Sequence, residues 1–187
     1  MAAASAPQDN SILSALALAM VNHPRASLQE LAKAIGISKA TLYRFCRTRE
    51  QLVDRLIDHG LKAMDSALAQ ARLEEGTPRE ALQRLTALQL EHRELAAFLT
   101  YYWNNAEASE DSYTDWEKRL DAFFLRGQQQ GVFRIDFSAA ALTEIWLSTF
   151  LGLADAERRG RVARAGLASL VERAFLQGAQ AQPQAGT

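Results

Sequence analysis

The stretch that decides the fold is Ser27-Leu28-Gln29-Glu30-Leu31-Ala32-Lys33-Ala34-Ile35-Gly36-Ile37-Ser38-Lys39-Ala40-Thr41-Leu42-Tyr43-Arg44-Phe45-Cys46-Arg47-Thr48-Arg49-Glu50-Gln51-Leu52. It reads as two short helices and the start of a long one. Ser27 with Glu30 three residues on is a capping box, in which each side chain satisfies an orphan backbone N–H. Leu28, Leu31 and Ile35 make the buried stripe of the helix that follows, and Gly36 suits the left-handed position that ends it. Ser38 caps the next helix, from Lys39 to about Cys46. Its buried face is Leu42, Phe45 and Cys46, at i, i+3 and i+4. The opposite face carries Lys39, Ala40, Tyr43 and Arg44, with Thr41 at the edge. Thr48 caps the long helix, with Gln51 at the reciprocal position and Leu52, Val53, Leu56, Leu61, Met64 and Leu68 along it.

Upstream, Ile12, Leu13, Leu16 and Met20 share one face of a helix from about Asn10 to Val21, which Asn22-His23-Pro24 stops. Met1 to Gln8 reads as a loose leader with no signal pattern. Downstream, helices are expected over roughly Pro78–His92, Glu94–Ala106, Ser112–Gln130, Ser138–Arg158 and Arg161–Gln177. Phe133 to Phe137 is a short extended connector, and the tail from Gly178 should fray. The expected fold is all-α, with about nine helices. A three-helix helix-turn-helix head, residues 1–48, precedes a larger antiparallel helical body, residues 49–187.

Composition agrees. The chain has 187 residues, enough to bury a core without staples, and only 4 prolines and 10 glycines. The single cysteine, Cys46, excludes a disulfide framework and any multi-cysteine metal site. Glu144 interrupts the most apolar segment, so no membrane span is expected, and the cytoplasm is the expected location. Net charge is -1, which excludes a protein basic throughout. The charge is nevertheless uneven: Arg25 to Arg49 holds six basic residues against one acid, Glu30. Aromatics are uneven too, with twelve of the fifteen between Phe98 and Phe150.

These residue types fit duplex DNA. A reading helix buries one face on its own domain and offers short or cationic side chains to the groove. A methyl (Ala40), a hydroxyl (Thr41), a phenol (Tyr43) and two cations (Lys39, Arg44) meet that need. Helix starts at Ser27, Ser38 and Thr48 add backbone N–H groups and a positive dipole end for phosphates. The run from Ser27 to Phe45, followed by Thr48-Arg49-Glu50-Gln51-Leu52, resembles the TetR family of transcriptional repressors, and the likeness covers about Ile12 to Leu56. The resemblance implies that Lys39, Ala40 and Thr41 sit nearest base edges and flanking phosphates, and that Tyr43 bonds a phosphate. It also implies that Ser27 and Arg49 clamp the backbone and that Arg44 contacts base or phosphate; Arg47 and Thr48 complete the expected DNA-binding set. Arg49 stands where family members commonly carry a lysine.

A head this small makes few base contacts, so a homodimer reading two half-sites is expected. Ala139 to Ala154 is apolar nearly all round, and a helix of that kind is buried on both sides. Leu142, Ile145, Trp146 and Thr149 are assigned to the core. Leu147, Phe150 and Leu151, with Ala163, Leu167, Leu170 and Ala174 of the last helix, are assigned to the dimer interface. Gly166 is expected to allow close helix approach there. The aromatic cluster, Phe98, Tyr102, Trp103, Trp116, Phe123, Trp146 and Phe150, is the candidate site for a small apolar or aromatic effector. His23, His59 and His92 are too scattered for a metal, no cofactor is implied, and no nucleophile elbow or phosphate loop points to an enzyme. The expectation is a one-component regulator, a repressor, that binds palindromic operator DNA and is released by its effector. Two alternatives stay open: a DNA-binding regulator controlled by a protein partner, and an apolar-ligand-binding protein without a specific operator.

Overall fold

The computed structural model describes residues 6–103 and 110–179. Among them lie nine helices: α1 (Ala6–Asn22), α2 (Leu28–Ala34), α3 (Lys39–Phe45), α4 (Arg49–Gln70), α5 (Pro78–Glu91), α6 (Arg93–Trp103), α7 (Glu110–Gln129), α8 (Ala139–Arg158) and α9 (Leu167–Ala179). Their number and order match the sequence-based expectation. The expected fraying of the tail falls mostly on residues outside those described.

The helices pack as two units. The first takes in the described chain up to Met64 together with α6; the second takes in Asp65–Glu91 and the described chain from α7 onward. The division falls within α4, and α6 packs in the first unit, chiefly against α1, although α2, α3, α4 and α5 all lie between the two in sequence.

In the first unit the buried residues are Leu13, Leu16, Ala17 and Met20 of α1, Leu31 of α2, Leu42 and Phe45 of α3, Leu52 and Leu56 of α4, and Leu95 and Phe98 of α6. They recur mostly at three- and four-residue steps, so the helices turn apolar stripes inward. Burying each large side chain is worth about 1.5–3 kcal/mol, which is what holds helices too short to persist alone.

The core of the second unit is aromatic. Phe124 lies 5.3 Å from Phe133 and 5.5 Å from Phe175, ring centre to ring centre, and Phe123 lies 5.0 Å from Phe124. Leu82 and Leu85 of α5, Leu120 of α7, Leu142 and Trp146 of α8, and Leu176 of α9 complete it. Phe133 reaches this core because the chain folds back at the end of α7, where the N–H groups of Val132 and Phe133 both donate to the Gly127 carbonyl. Gln128 Nε2 then donates to the Arg134 and Phe137 carbonyls, fixing the connector, and Ser138 caps α8 by accepting from Ala141 N–H at 3.1 Å.

The structure corrects three details. α9 begins at Leu167, not Arg161, because Gly160 and Gly166 both take positive φ (72° and 79°), which a continuing helix cannot hold. Gly166 and Ala163 therefore precede the helix and offer no helical face. In α8, Leu142 and Trp146 face the core as expected, but Ile145 is 38% exposed and Thr149 only half-buried. Phe150 and Leu167, assigned to a dimer interface, are instead buried inside the protomer.

Gly127 gives a direct check on the second core. A Cβ there would lie 2.2 Å from Phe133 Cδ2, and that ring is fully buried among others and has nowhere to go. Gly127→Ala should destabilise the protein by about 1–3 kcal/mol, read as a lower urea midpoint.

Candidate nucleic-acid interface

α2 and α3 are each seven residues long, so local bonds at their ends matter as much as packing. At the start of α2 the expected capping box is present. Ser27 N–H donates to Glu30 Oε2 at 2.7 Å, Ser27 Oγ donates to the same oxygen at 2.8 Å, and Glu30 N–H donates to Ser27 Oγ at 3.3 Å. These bonds hold the Glu30 carboxyl below its ordinary value of 4.5, against a weak opposing effect of burial. The same box recurs at Thr77 and Glu80 before α5, where Thr77-Pro78-Arg79-Glu80 carries the signal in plain sequence.

α2 ends in a Schellman turn. Gly36 takes φ of 74°, its N–H donates to Lys33 O, and Ile37 N–H donates to Ala32 O. An L-residue at Gly36 would be strained in this left-handed conformation, and the angle at which α3 leaves depends on it. Ser38 starts α3, its Oγ accepting from Thr41 N–H at 3.0 Å. Arg55 closes the other end: Nη1 donates to Phe45 O at 3.1 Å and the guanidinium lies 5.0 Å from the Phe45 ring. A cation at the carbonyl end of a helix also complements its dipole.

The result is a helix with two distinct faces. Leu42, Phe45 and Cys46 are buried, while Lys39, Ala40, Tyr43 and Arg44 are exposed and Thr41 lies at the border. Lys39 Nζ sits 5.3 Å from the Tyr43 ring centre, so the two lie side by side on the outer face. Arg47 and Thr48 are exposed at the start of α4, where Thr48 Oγ1 accepts from Gln51 N–H. Gln51 Oε1 accepts from Arg47 N–H rather than from Thr48, a one-residue shift from the expected reciprocal bond. Beyond the expected DNA-binding set lie Arg25, whose charge also suits an added contact, and Lys33. They border an open groove at the α1–α2 turn with His23 and Glu30, and only their share of the local positive charge pointed to them. Cys46 is buried, and burial pushes its thiol up despite Arg55 nearby, so it stays a protonated packing group.

Two assigned residues have other partners. Arg49, expected to reach outward, turns its guanidinium inward: it donates to Pro24 O at 2.6 Å, Ala26 O at 3.2 Å and Tyr102 Oη at 2.8 Å. Tyr102, expected to face an effector, thus belongs to the support of the head. The other aromatics divide between the units. Phe98 stacks on Tyr102 at 4.5 Å in the first. In the second, Phe123 and Trp146 lie in the core, Trp116 packs against it, and Trp146 stacks on Phe150 at 5.7 Å. The side chain of Trp103 lies outside the described residues. Among the described residues no group of three or more His, Cys, Asp or Glu is arranged to hold a metal ion, and no helix is long and apolar enough to cross a membrane.

A capped reading helix, propped on its buried face and cationic on its open one, is the working part of a helix-turn-helix regulator of transcription. The chain belongs to the TetR family of such DNA-binding regulators. It is 47% identical over 175 residues to the HTH-type transcriptional regulator NfxB of Pseudomonas aeruginosa, covering 91% of this chain and 94% of that one. It is 30% identical over 90 residues to the HTH-type transcriptional repressor LfrR of Mycolicibacterium smegmatis, 48% of each chain. Its fold is similar to that of the TetR-like regulator LfrR solved in complex with proflavine (TM-score 0.69, 20% identity, 92% of this chain and 97% of that one). It is also similar to the ketosteroid transcriptional regulator KstR2 of Mycobacterium tuberculosis (TM-score 0.74, 16% identity, 94% and 96%). No family model matches the chain.

The capping box yields a pH test. Glu30 titrates lower in the folded chain than in the unfolded one, so its contribution to stability is complete above 4.5 and disappears as pH falls through the depressed folded value. Glu30→Ala should lower the Tm near neutral pH, and the gap to the parent protein should close in increasingly acid buffer.

Proposed function

We propose that the protein is a one-component transcriptional repressor that binds a palindromic operator as a homodimer and is released by a small effector. Residues 1–48 read the DNA, residues 49–187 carry dimerisation and effector binding, and the protein works in the cytoplasm. The observation that carries this reading is the outer face of α3. Lys39, Ala40, Thr41, Tyr43 and Arg44 present cationic and hydrogen-bonding groups together, with no bulky aliphatic side chain among them to block a groove.

Dimerisation through α8 and α9 is supported by the apolar residues that remain on their surfaces. Ile145 is exposed, Leu147, Leu151 and Leu170 are half-buried, and Ala174 is exposed. Two heads paired in this way read half-sites about 34 Å apart, one turn of the duplex, or a multiple of it.

Effector binding is supported by polar atoms in the second unit. Thr86 Oγ1 and Gln89 Nε2 of α5 and Trp146 Nε1 of α8 are buried with no hydrogen-bond partner among the described residues. Buried polar groups are normally paired. The indole N–H and the amide N–H are donors only, so the fitting effector is a largely apolar ring compound with acceptor oxygens or nitrogens. The LfrR structure with bound proflavine is a precedent for a flat aromatic ligand on this fold.

Selection from a randomised duplex pool at two salt concentrations tests the DNA reading. An enriched palindrome is the expected result; sequence-blind, salt-sensitive recovery would overturn it. Leu170→Glu should convert the dimer to a monomer in sedimentation velocity, with helical content retained. A dimer that persists at low concentration would move the interface off α9.

A further inference from the structure

The three bonds of Arg49 are unusual for a side chain expected at a phosphate. Pro24 and Ala26 form the turn between α1 and α2, in which Ala26 N–H already donates to His23 O at 3.0 Å. The carbonyls of Pro24 and Ala26 point to the start of α4, and one guanidinium takes both. A planar fork with five donors can span two carbonyls and a hydroxyl at once; a lysine ammonium, a point charge, holds no such geometry. The hydroxyl comes from Tyr102 in the last turn of α6. Its ring is fixed by Phe98, which is fully buried, and by Tyr101 at 5.0 Å. Burial raises the Tyr102 phenol above its ordinary value, so it meets Arg49 as a neutral acceptor. α6 touches α4 again at Gly60, where an added Cβ would come within 3.1 Å of Leu99 Cγ and Cδ1.

We infer that Arg49 is a positioning residue of the DNA-reading head, held in place by its bond to Tyr102, and not a phosphate contact. This rests on α3 being the reading helix and adds how that helix is held. Arg49 ties the turn before α2 to the start of α4, and α3 hangs between those two points. Without the phenol, Arg49 keeps only the two carbonyls, and the turn that orients α2 and α3 loosens.

The full-length protein and its selected operator duplex decide the matter. Binding is followed by fluorescence anisotropy across a salt series. Each phosphate contact contributes about 0.9 to the slope of log affinity against log salt. Tyr102→Phe keeps the ring stack and removes only the hydroxyl. It should weaken operator binding several-fold with the slope unchanged. Arg49→Gln should weaken it further, again with the slope unchanged, whereas Lys39→Gln on the open face of α3 should flatten the slope. Parental affinity for Tyr102→Phe would overturn the inference, and so would a slope lowered by about 0.9 in Arg49→Gln, which would put Arg49 on a phosphate. Hydrogen exchange in the free protein reads the same tie without DNA. Faster exchange at Ala26 and in the first turn of α2 is expected in Tyr102→Phe, and parental exchange there would overturn the inference even if no operator were recovered. Failure to enrich any duplex would count against the DNA reading alone.

Discussion

A seven-residue helix does not persist in water by itself, and the proposed DNA-reading face lies on one. Nucleation fixes several residues for the first bond, so helices below about 12–15 residues are marginal without support. α3 is supported at each end and along one side. The Schellman turn at Gly36 and the Ser38 cap set where it begins, Arg55 holds its last carbonyl, and Leu42, Phe45 and Cys46 anchor it from behind. Only because these bonds lie at the ends and back of the helix is the front free to carry Lys39, Ala40, Thr41, Tyr43 and Arg44.

The same economy of local bonds recurs through the chain. Ser27, Thr77 and Ser138 start their helices by the same means, a hydroxyl accepting from an N–H three residues on. The two units differ in what backs those bonds. The first is filled mainly by leucine, alanine and methionine; the second is built on the ring network of Phe123, Phe124, Phe133 and Phe175. The cationic excess is confined to the stretch from Arg25 to Arg49 of the first unit, with six basic residues against one acid.

The helix-turn-helix was legible in the sequence because its determinants are close neighbours: caps act over three residues, apolar stripes over three or four, and Gly36 at one position. The body was less legible where two faces of a helix were both apolar. In α8 the pattern did not say that Ile145 would point out while Phe150 turned in. Likewise Arg161 to Gly166 looked like the start of a helix by composition, and only the backbone at Gly160 and Gly166 shows that it is a turn.

The sequence by itself determined the helices of the head, their caps, the cationic face of α3 and the family to which the chain belongs, since these depend on spacings of a few residues. Tertiary structure alone decided that Arg49 turns inward to Pro24, Ala26 and Tyr102, and that the phenylalanines of α7 and α9 meet around Phe133. Arg49 and Tyr102 are 53 positions apart, and no local propensity tells a guanidinium whether water, a phosphate or a buried hydroxyl will be its partner. Packing brings that hydroxyl within reach, and the charge follows the acceptors that packing supplies.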